Sequence, residues 1–428
     1  MLFHRHLKAH LVALSLLASL PFASLGCLSG EESDGGDDEA VSGTGSDAVG
    51  EETAADGCNP KVGIIHVPAD MTLTNAMNQA ATSGKHIMLA DGSYTLGTIS
   101  KSGASADKPL VICAQNKLKA NVNGATEVTG DHVRLWGLSF GKQTMVIKGS
   151  DVWVQRSAFS GFSSGTDIQI EVKAPSFHFW RSSIQNSKSR GLSFNVGGGG
   201  VNGQVYRSYF ANFSGDTNGT EALQLGMDHN DSKIDAKIQV IESMFENCKT
   251  NGGENETLSV KSSSNLVKGS TFLETRYLFN RHGEHNRYIS NWIEGGDGIG
   301  LNGLDNIALE IKTVNTGSGV RVASGDVTAA NFPDGCPASG SCNPAATKCK
   351  VISCDADKMI IGDDAGAVKV TGTSVEGTTI NGKLIDTQAK LAPYLGPKAG
   401  NGNTATANPS MSAPKAVKLT AAQVGPSS

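Results

Sequence analysis

The stretches Val133-Arg-Leu-Trp-Gly-Leu-Ser-Phe140 and Val152-Trp-Val-Gln-Arg-Ser-Ala-Phe159 share one pattern. In each, a segment with alternating apolar residues is followed by a small or polar pair and then by a large apolar residue. Such alternation predicts a β-strand with one buried face. The pattern recurs along the chain, and its later instances end at Ile184, Phe210, Phe245, Phe272 and Ile293.

The interval between these repeats indicates the fold class. Their final apolar residues lie 19 to 35 residues apart, and most intervals are close to one another. One strong strand in each such interval is typical of a parallel β-helix, in which each coil, or rung, stacks its inward side chains on the rung below. We therefore predict an all-β, right-handed, single-stranded parallel β-helix, with a short N-terminal capping helix over residues 73–84. The absence of a Leu-Asn pattern excludes a leucine-rich solenoid, and the repeat disfavours a β-sandwich.

The composition agrees with many short strands joined by turns. The chain has 428 residues, with 52 glycines, 6% aromatic and 18% charged residues. These values exclude collagen, a coiled coil and a polytopic membrane protein, and they disfavour a mostly helical protein. The net charge of −5 is uneven, because ten acidic residues and no Lys or Arg lie between residues 28 and 57. The chain outside these residues is slightly basic. We expect the protein to be a monomer that binds no nucleic acid.

The N-terminal residues resemble an export signal. Residues 1–26 have a basic start and a short apolar segment, and the end Ser24-Leu-Gly-Cys27 resembles a bacterial lipoprotein box. We expect Cys27 to be lipidated; the alternative is an ordinary secretory signal. Residues 27–57 are too polar to form a core and are predicted to be an acidic disordered tether. The protein would then be an outer-membrane or cell-surface lipoprotein, otherwise secreted, that contacts the membrane through its lipid alone.

The remaining residues, 58–428, are predicted to form the β-helix domain, with a Cys-rich insertion at 333–356 and a flexible segment at 397–414. Cys58 and Cys113 could pair, and Cys248 is expected to be a buried free thiol. Four cysteines are expected to form two disulfides, with a zinc site as the alternative: Cys336, Cys342, Cys349 and Cys354.

Two strands within residues 251–283 place a lysine beside an arginine. If Leu258 and Val260 face the core, then Lys261 faces outward, and if Leu278 faces the core, Arg281 faces outward one rung later. We expect the nearby guanidinium to lower the pKa of Lys261, which makes that lysine a candidate general base.

Glu254 and Glu256 precede the first of these strands and could bind a hard cation through oxygen ligands. A base, a second cation and a metal site together suit removal of a proton next to a carboxylate, with the developing charge neutralised by the metal.

Residues from about 60 to 310 resemble polysaccharide lyase family six, the alginate lyases and chondroitinase B. The similarity lies in Glu254-Asn-Glu256-Thr-Leu-Ser-Val-Lys261-Ser, Ser270-Thr-Phe272 and Leu278-Phe-Asn-Arg281-His282-Gly283. Weaker similarities are Asn218-Gly-Thr-Glu-Ala-Leu-Gln224-Leu-Gly226 and Asp91-Gly-Ser-Tyr94. The family fold is a right-handed parallel β-helix.

The resemblance implies a role for each matching residue. Lys261 would abstract the C5 proton of a uronate, and Arg281 would assist at the leaving glycosidic oxygen. Calcium, held by Glu254, Glu256 and Asn218, would neutralise the substrate carboxylate. The residues assigned to substrate binding are His282, Gln224 and Tyr277.

This sequence lacks some of the basic residues that the family pattern contains. Gln224 stands where the family has an arginine, and Gly298-Ile-Gly300 lacks the second arginine of the family pattern, because Gly300 stands at its position.

The first choice is a lyase that cleaves an acidic uronate polysaccharide, alginate in particular, by β-elimination. Alternatives are a chondroitin or dermatan sulfate lyase, a surface glycan-binding β-helix that is catalytically weak or inactive, and a glycoside hydrolase of the same fold, which would need two or three outward acids on neighbouring rungs.

Overall fold

The computed structural model describes residues 57–163, 167–215, 219–249, 256–325, 344–363, 366–407 and 415–426. These residues belong to one compact unit, Thr53–Ser428. The predicted signal peptide, the lipidation site Cys27 and all of the tether except Gly57 lie outside the described residues. No helix among the described residues is long and apolar enough to cross a membrane.

Three sheets wrap around a common core, and we name them A, B and C. Sheet A has 14 strands: β1 (Ile64–Val67), β2 (His86–Leu89), β5 (Leu110–Ala114), β8 (Val133–Trp136), β11 (Val152–Gln155), β14 (Phe177–Trp180), β17 (Gln204–Tyr206), β20 (Gln239–Ile241), β23 (Leu266–Lys268), β26 (Arg287–Ile289), β29 (Ile307–Leu309), β32 (Lys350–Ile352), β35 (Ser374–Glu376) and β38 (Thr404–Thr406).

Sheet B has 13 strands: β3 (Gly92–Tyr94), β6 (Ala120–Val122), β9 (Ser139–Phe140), β12 (Ala158–Ser160), β15 (Ser183–Gln185), β18 (Tyr209–Phe213), β21 (Met244–Cys248), β24 (Thr271–Leu273), β27 (Trp292–Glu294), β30 (Lys312–Val314), β33 (Asp355–Ala356), β36 (Thr378–Ile380) and β37 (Lys383–Ile385).

Sheet C has 11 strands: β4 (Thr98–Ile99), β7 (Thr126–Val128), β10 (Met145–Ile147), β13 (Ile168–Val172), β16 (Arg190–Phe194), β19 (Leu223–Leu225), β22 (Glu256–Val260), β25 (Tyr277–Asn280), β28 (Ile299–Leu301), β31 (Val320–Val322) and β34 (Met359–Ile361).

From β2 to β36 the chain visits sheets A, B and C in turn, and neighbouring strands of a sheet are parallel except for the antiparallel pair β36 and β37. The prediction of a parallel β-helix is therefore confirmed. The predicted flexible segment 397–414 contributes β38 to the stack, and its residues 408–414 lie outside the described part. The Cys-rich segment 333–356 likewise contributes β32 and β33 to the stack, and its residues 333–343 lie outside the described part of the chain.

The repeat found in the sequence is a pair of strands rather than one. Its first half forms a strand of sheet A and its last residues form a strand of sheet B, as in β11 followed by β12. The residue between them adopts a left-handed conformation, with φ of 47° at Arg156, 44° at Arg181 and 45° at Arg207. These residues turn the chain sharply, so the apolar residues on both sides of the turn face one core.

The predicted capping helix is confirmed as α1 (Leu73–Ser83). The side chain of Thr72 accepts a hydrogen bond from the N–H of Asn75 at its start, and Gly84 ends it with φ of 70°. Ala76 and Ala80 are buried in the core cluster, so the helix covers the apolar N-terminal end of the stack.

Aromatic side chains stack from rung to rung inside the solenoid. The rings of Phe210, Phe245 and Phe272 are nearly parallel, with centroids 4.8 Å and 4.7 Å apart. A second buried feature is a ladder of hydroxyls in the turns, where the N–H groups of Ser182, Ser208 and Ser243 donate to the hydroxyl of the next rung. These contacts satisfy buried backbone groups and keep the rungs in register.

The cysteine predictions are partly confirmed. Cys58 and Cys113 form a disulfide, and Cys248 is a buried free thiol. The prediction of disulfides at Cys349 and Cys354 is wrong, because both are free thiols buried in the core.

The reason is their place in the stack. The Cys349 thiol donates to the carbonyl of Gly303 and the Cys354 thiol to the carbonyl of Ala308, so both point inward. Burial raises the pKa of each thiol to about 12. Their expected partners, Cys336 and Cys342, lie outside the described residues.

Candidate active site

The two predicted catalytic residues lie side by side on sheet C. Strands β22 and β25 pair with Val260 opposite Asn280, so the next residues, Lys261 and Arg281, are neighbours on adjacent rungs. Leu258 and Val260 are fully buried in the core, and Lys261 therefore points to the opposite face, as predicted. The backbone continues this register, since the N–H of Arg281 donates to the carbonyl of Val260.

Each of these cations faces a buried carboxylate. Lys261 Nζ lies 3.9 Å from Oε1 of Glu221, and Arg281 Nη1 lies 3.5 Å from Oε1 of Glu256. Nζ of Lys261 also lies 3.4 Å from the carbonyl oxygen of Met227, to which it donates. The side chains of Glu221 and Glu256 are 0% and 5% exposed. The two cations are thus held close together by opposite charges that offset their repulsion.

Glu221 is the functional candidate that the sequence analysis left without a role. It is completely buried, and its Oε2 accepts a hydrogen bond of 3.1 Å from Nε of Arg190 on the preceding rung. Its other oxygen, Oε1, accepts no hydrogen bond from the described residues. A fully buried carboxylate that serves two cations is a strong constraint on their positions. An acidic residue flanked by small and apolar residues, as in Thr220-Glu-Ala-Leu223, is the signal that could have found it.

A bulge in β22 sets the position of Glu256. The register between β22 and β25 shifts between Glu256 and Leu258, so that Glu256 pairs with Tyr277 and Leu258 with Leu278. The additional residue, Thr257, is buried and its hydroxyl donates to the carbonyl of Cys248. Bulges of this kind change the direction of nearby side chains and are frequent beside active sites.

His282 lies beside the two cations but is 4% exposed. Burial lowers the pKa of its imidazole well below the usual value, and the charges of Arg281, Lys261 and His229 lower it further. The ring is therefore neutral at pH 7. Little of its surface is exposed, and its contact with a substrate stays a prediction.

Gln224 and Tyr277 are the other residues assigned to substrate binding, and their side chains differ in exposure to solvent. Gln224 is fully buried, accepts a hydrogen bond from Ser193 Oγ and donates to the carbonyl of Met227. Gln224 therefore lies inside the sheet, and its contact with a substrate stays a prediction. Tyr277 is partly exposed, and its hydroxyl is hydrogen-bonded to Ser318 Oγ at 2.6 Å.

The structure describes one of the three predicted metal ligands. Glu256 is placed as above, whereas Glu254 and Asn218 lie outside the described residues. Within the described ranges, no three side chains of His, Cys, Asp or Glu come together in a way that could hold a metal ion. The donor set as a whole, two carboxylates and an amide oxygen, has the chemistry that a hard cation requires.

Comparisons with known proteins agree with the fold. No family model matches the sequence, and no curated protein matches it significantly. A mannuronic acid specific polysaccharide family 6 lyase from human gut microbiota has a similar structure, with a TM-score of 0.60 and 18% identity over 74% of this chain and 79% of that one. A PL6 alginate lyase in complex with a trisaccharide has a TM-score of 0.56 and 14% identity, covering 80% of this chain and 84% of that one.

A PL6 family polysaccharide lyase from Pseudopedobacter saltans also has a TM-score of 0.56, with 14% identity over 85% of this chain and 99% of that one. Because these identities are low, the similarity concerns the architecture. The chain shares the parallel β-helix fold of the PL6 polysaccharide lyases.

Proposed function

We propose that this protein is a polysaccharide lyase of the PL6 type, which cleaves an acidic uronate-containing polysaccharide by β-elimination. The observation that carries the proposal is the placement of Lys261 and Arg281 on adjacent rungs, each against its own buried carboxylate. The shared fold with PL6 lyases supports the same class. Alginate is the proposed substrate, because the relatives of known structure include alginate lyases.

The proposed reaction has three parts. Lys261, in its uncharged amine form, takes the proton from C5 of the uronate, and the electron pair forms the C4–C5 double bond as the C4–O bond breaks. Arg281 stabilises the charge on the departing oxygen, which takes a proton from solvent water as it leaves, and Lys261 returns its own proton to solvent. Because the charge that develops after proton removal spreads onto the uronate carboxylate, a cation near that carboxylate lowers the barrier.

Calcium is the cation that we propose for this task, with Glu256, Glu254 and Asn218 as its ligands. A calcium ion bound there would neutralise the charge of the uronate carboxylate and so make the C5 proton more acidic. The buried Oε1 of Glu221, which accepts no hydrogen bond within the described part of the chain, is a further oxygen on the adjacent rung. We also propose export as a lipoprotein anchored through Cys27.

The test is the ultraviolet absorbance of the unsaturated uronate that elimination creates. The full-length protein is incubated with calcium and, separately, with alginate, poly-mannuronate, poly-guluronate and dermatan sulfate. We expect absorbance to rise with alginate or one of its two homopolymers. A rise with dermatan sulfate alone would replace alginate as the substrate. No rise with any of the four, from a folded protein, would contradict the lyase assignment and favour a glycan-binding role.

A hydrolase is the second candidate, because the structure does place two acids on adjacent rungs. Glu221 lies two residues before β19 and Glu256 is the first residue of β22, and each is buried against a cation. The mass of the products separates the two reactions. Hydrolysis adds one water to each cleaved bond, whereas elimination adds none.

A further inference from the structure

An arginine on sheet C lies beyond the catalytic pair, on the same outer face. Strands β25, β28 and β31 place Phe279, Gly300 and Arg321 in register on three successive rungs. Arg281 is two residues after Phe279, so its side chain leaves the sheet on the same side. At about 4.8 Å per rung, Arg321 lies roughly 10 Å along the solenoid from Arg281.

Two aromatic rings support the guanidinium of Arg321. Its Cζ lies 5.7 Å from the ring centroid of Phe279 and 5.8 Å from that of Tyr277. The two rings are themselves 5.7 Å apart, and together they form a partly buried apolar base. Contacts of this kind orient a guanidinium through the negative face of the ring.

Gly300 makes this arrangement possible. A Cβ atom at this position would lie 2.2 Å from Cδ2 of Phe279, which no real contact allows. The ring of Phe279 therefore lies across the bare backbone of Gly300, toward Arg321. A larger residue at position 300 would push the ring away and remove the support of the guanidinium.

Asp363 fixes the other side of Arg321. It accepts from Nε and pairs with Nη2 of Arg321, and it also accepts from the N–H and hydroxyl of Ser324. Burial alone would raise the pKa of Asp363, but the hydrogen bonds from Ser324 and the charge of Arg321 outweigh burial and lower it. Among the described residues, no other carboxylate lies within ion-pair distance of Arg321.

We propose that Arg321 binds a carboxylate of the acidic polysaccharide at a subsite about two rungs from the cleaved bond. This inference rests on the proposed function. The guanidinium has five donors, and Asp363 occupies only one edge of it, so Nη1 and the remaining edge can pair with a carboxylate. The Arg321 side chain is 19% exposed, which is enough for contact and limits its freedom. Arg321 is a binding residue and takes no part in proton transfer.

The test compares Arg321→Ala and Arg321→Lys with the control Arg207→Ala. Arg207 also pairs with a carboxylate, that of Glu242, and lies beside Tyr206, but it is in a turn between sheets A and B. KM and kcat are measured separately on the polymer and on the shortest oligosaccharide that is cleaved, and the melting temperature of each variant is recorded. Arg321→Lys keeps the charge without the planar fork and guards against a folding defect in the alanine variant.

We expect Arg321→Ala to raise KM for the polymer by about tenfold, since a charge-assisted contact is worth at least that factor. Its kcat should be unchanged, and the shortest substrate should be cleaved as by the wild type. Arg321→Lys should recover part of the affinity, and Arg207→Ala should match the wild type. A KM unchanged in both Arg321 variants, with a lower melting temperature, would overturn the proposal and leave a structural ion pair.

Failure of the proposed function would look different. If the wild type produced no unsaturated uronate, its retardation in gels that contain alginate would be compared with that of Arg321→Ala. Retardation of the wild type that is lost in the variant supports the subsite without catalysis. Equal retardation, or none in either protein, overturns it.

Discussion

Replacement of Glu221 by Gln should destabilise the protein far more than a comparable change at its surface. Glu221 is fully buried, and its cationic partners Lys261 and Arg190 have side chains that are 8% and 16% exposed. Two unit charges about 4 Å apart attract by about 4 kcal/mol at an effective dielectric constant of about 20. Removal of one partner from a buried pair leaves the other charges uncompensated and costs about 3–5 kcal/mol. We therefore expect the free energy of unfolding to fall by about 3 kcal/mol or more.

The assay is urea denaturation followed by circular dichroism, with Glu242→Gln as the matched control. Glu242 also pairs with an arginine, Arg207, but the two side chains are 40% and 38% exposed, so its loss should cost at most about 1 kcal/mol. Addition of Lys261→Met to Glu221→Gln should restore part of the lost stability, because one unpaired cation is then removed. If Glu221→Gln and Glu242→Gln were equally mild, the buried carboxylate would not hold the two cations in place, and the reasoning would be refuted.

Four further outcomes are expected. Lys261→Ala should abolish the appearance of unsaturated uronate while circular dichroism stays that of the wild type; residual cleavage at the wild-type rate would exclude Lys261 as the base. Chelation of calcium should slow cleavage, and added calcium should restore it; an insensitive rate would remove calcium from the mechanism. Loss of the Cys58–Cys113 disulfide through Cys58→Ser should lower stability by about 2–4 kcal/mol, because the bond closes a loop of 55 residues; an unchanged urea midpoint would count against it. The pKa of His178 is lowered to about 4, mainly by burial, so the unfolded chain binds the proton more readily; stability should fall as pH drops from 6.5 to 4, by up to about 3 kcal/mol from this residue, and His178→Gln should flatten that slope in urea titrations at several pH values.

The solenoid could be predicted from the sequence because its core repeats. Each rung returns an apolar residue to the same inward position, as at Phe159, Phe210 and Phe245, and this period is visible without any structure. The turn inside each repeat was less visible. Arg156 and Arg207 adopt left-handed conformations that composition does not predict, so a pair of strands looked like one.

The cysteines show where composition misled the prediction. Cys349 and Cys354 lie close together in a segment rich in Gly, Pro and Ser, which usually indicates disulfides in exported proteins. In the structure they occupy inward turn positions of the stack, and the N–H of Cys354 donates to Thr378 Oγ1 as the serines of earlier rungs do. A buried cysteine fits there because its side chain packs as a small apolar group and its thiol still donates weakly to a carbonyl of the rung below.

The adjacent placement of Lys261 and Arg281 could be predicted because it depends only on period and spacing. Leu258 and Val260 fix the direction of Lys261, and the same argument places Arg281 one rung later. The partner of Lys261 could not be found in this way. Glu221 lies 40 residues before Lys261 in the chain, and the repeat pattern does not predict the length of the segment between them.

The structure adds an alternation of charge along the stack. Three ion pairs join successive rungs of sheet C, namely Arg190 with Glu221, Glu221 with Lys261, and Glu256 with Arg281. The bulge at Thr257 gives Glu256 its place in this series, since without it the residue opposite Tyr277 would change. A shift of one residue in a strand turns every side chain to the other face. The position of the proposed base therefore depends on the register of the whole core beneath it, and core substitutions that loosen β22 should reduce activity before they unfold the protein.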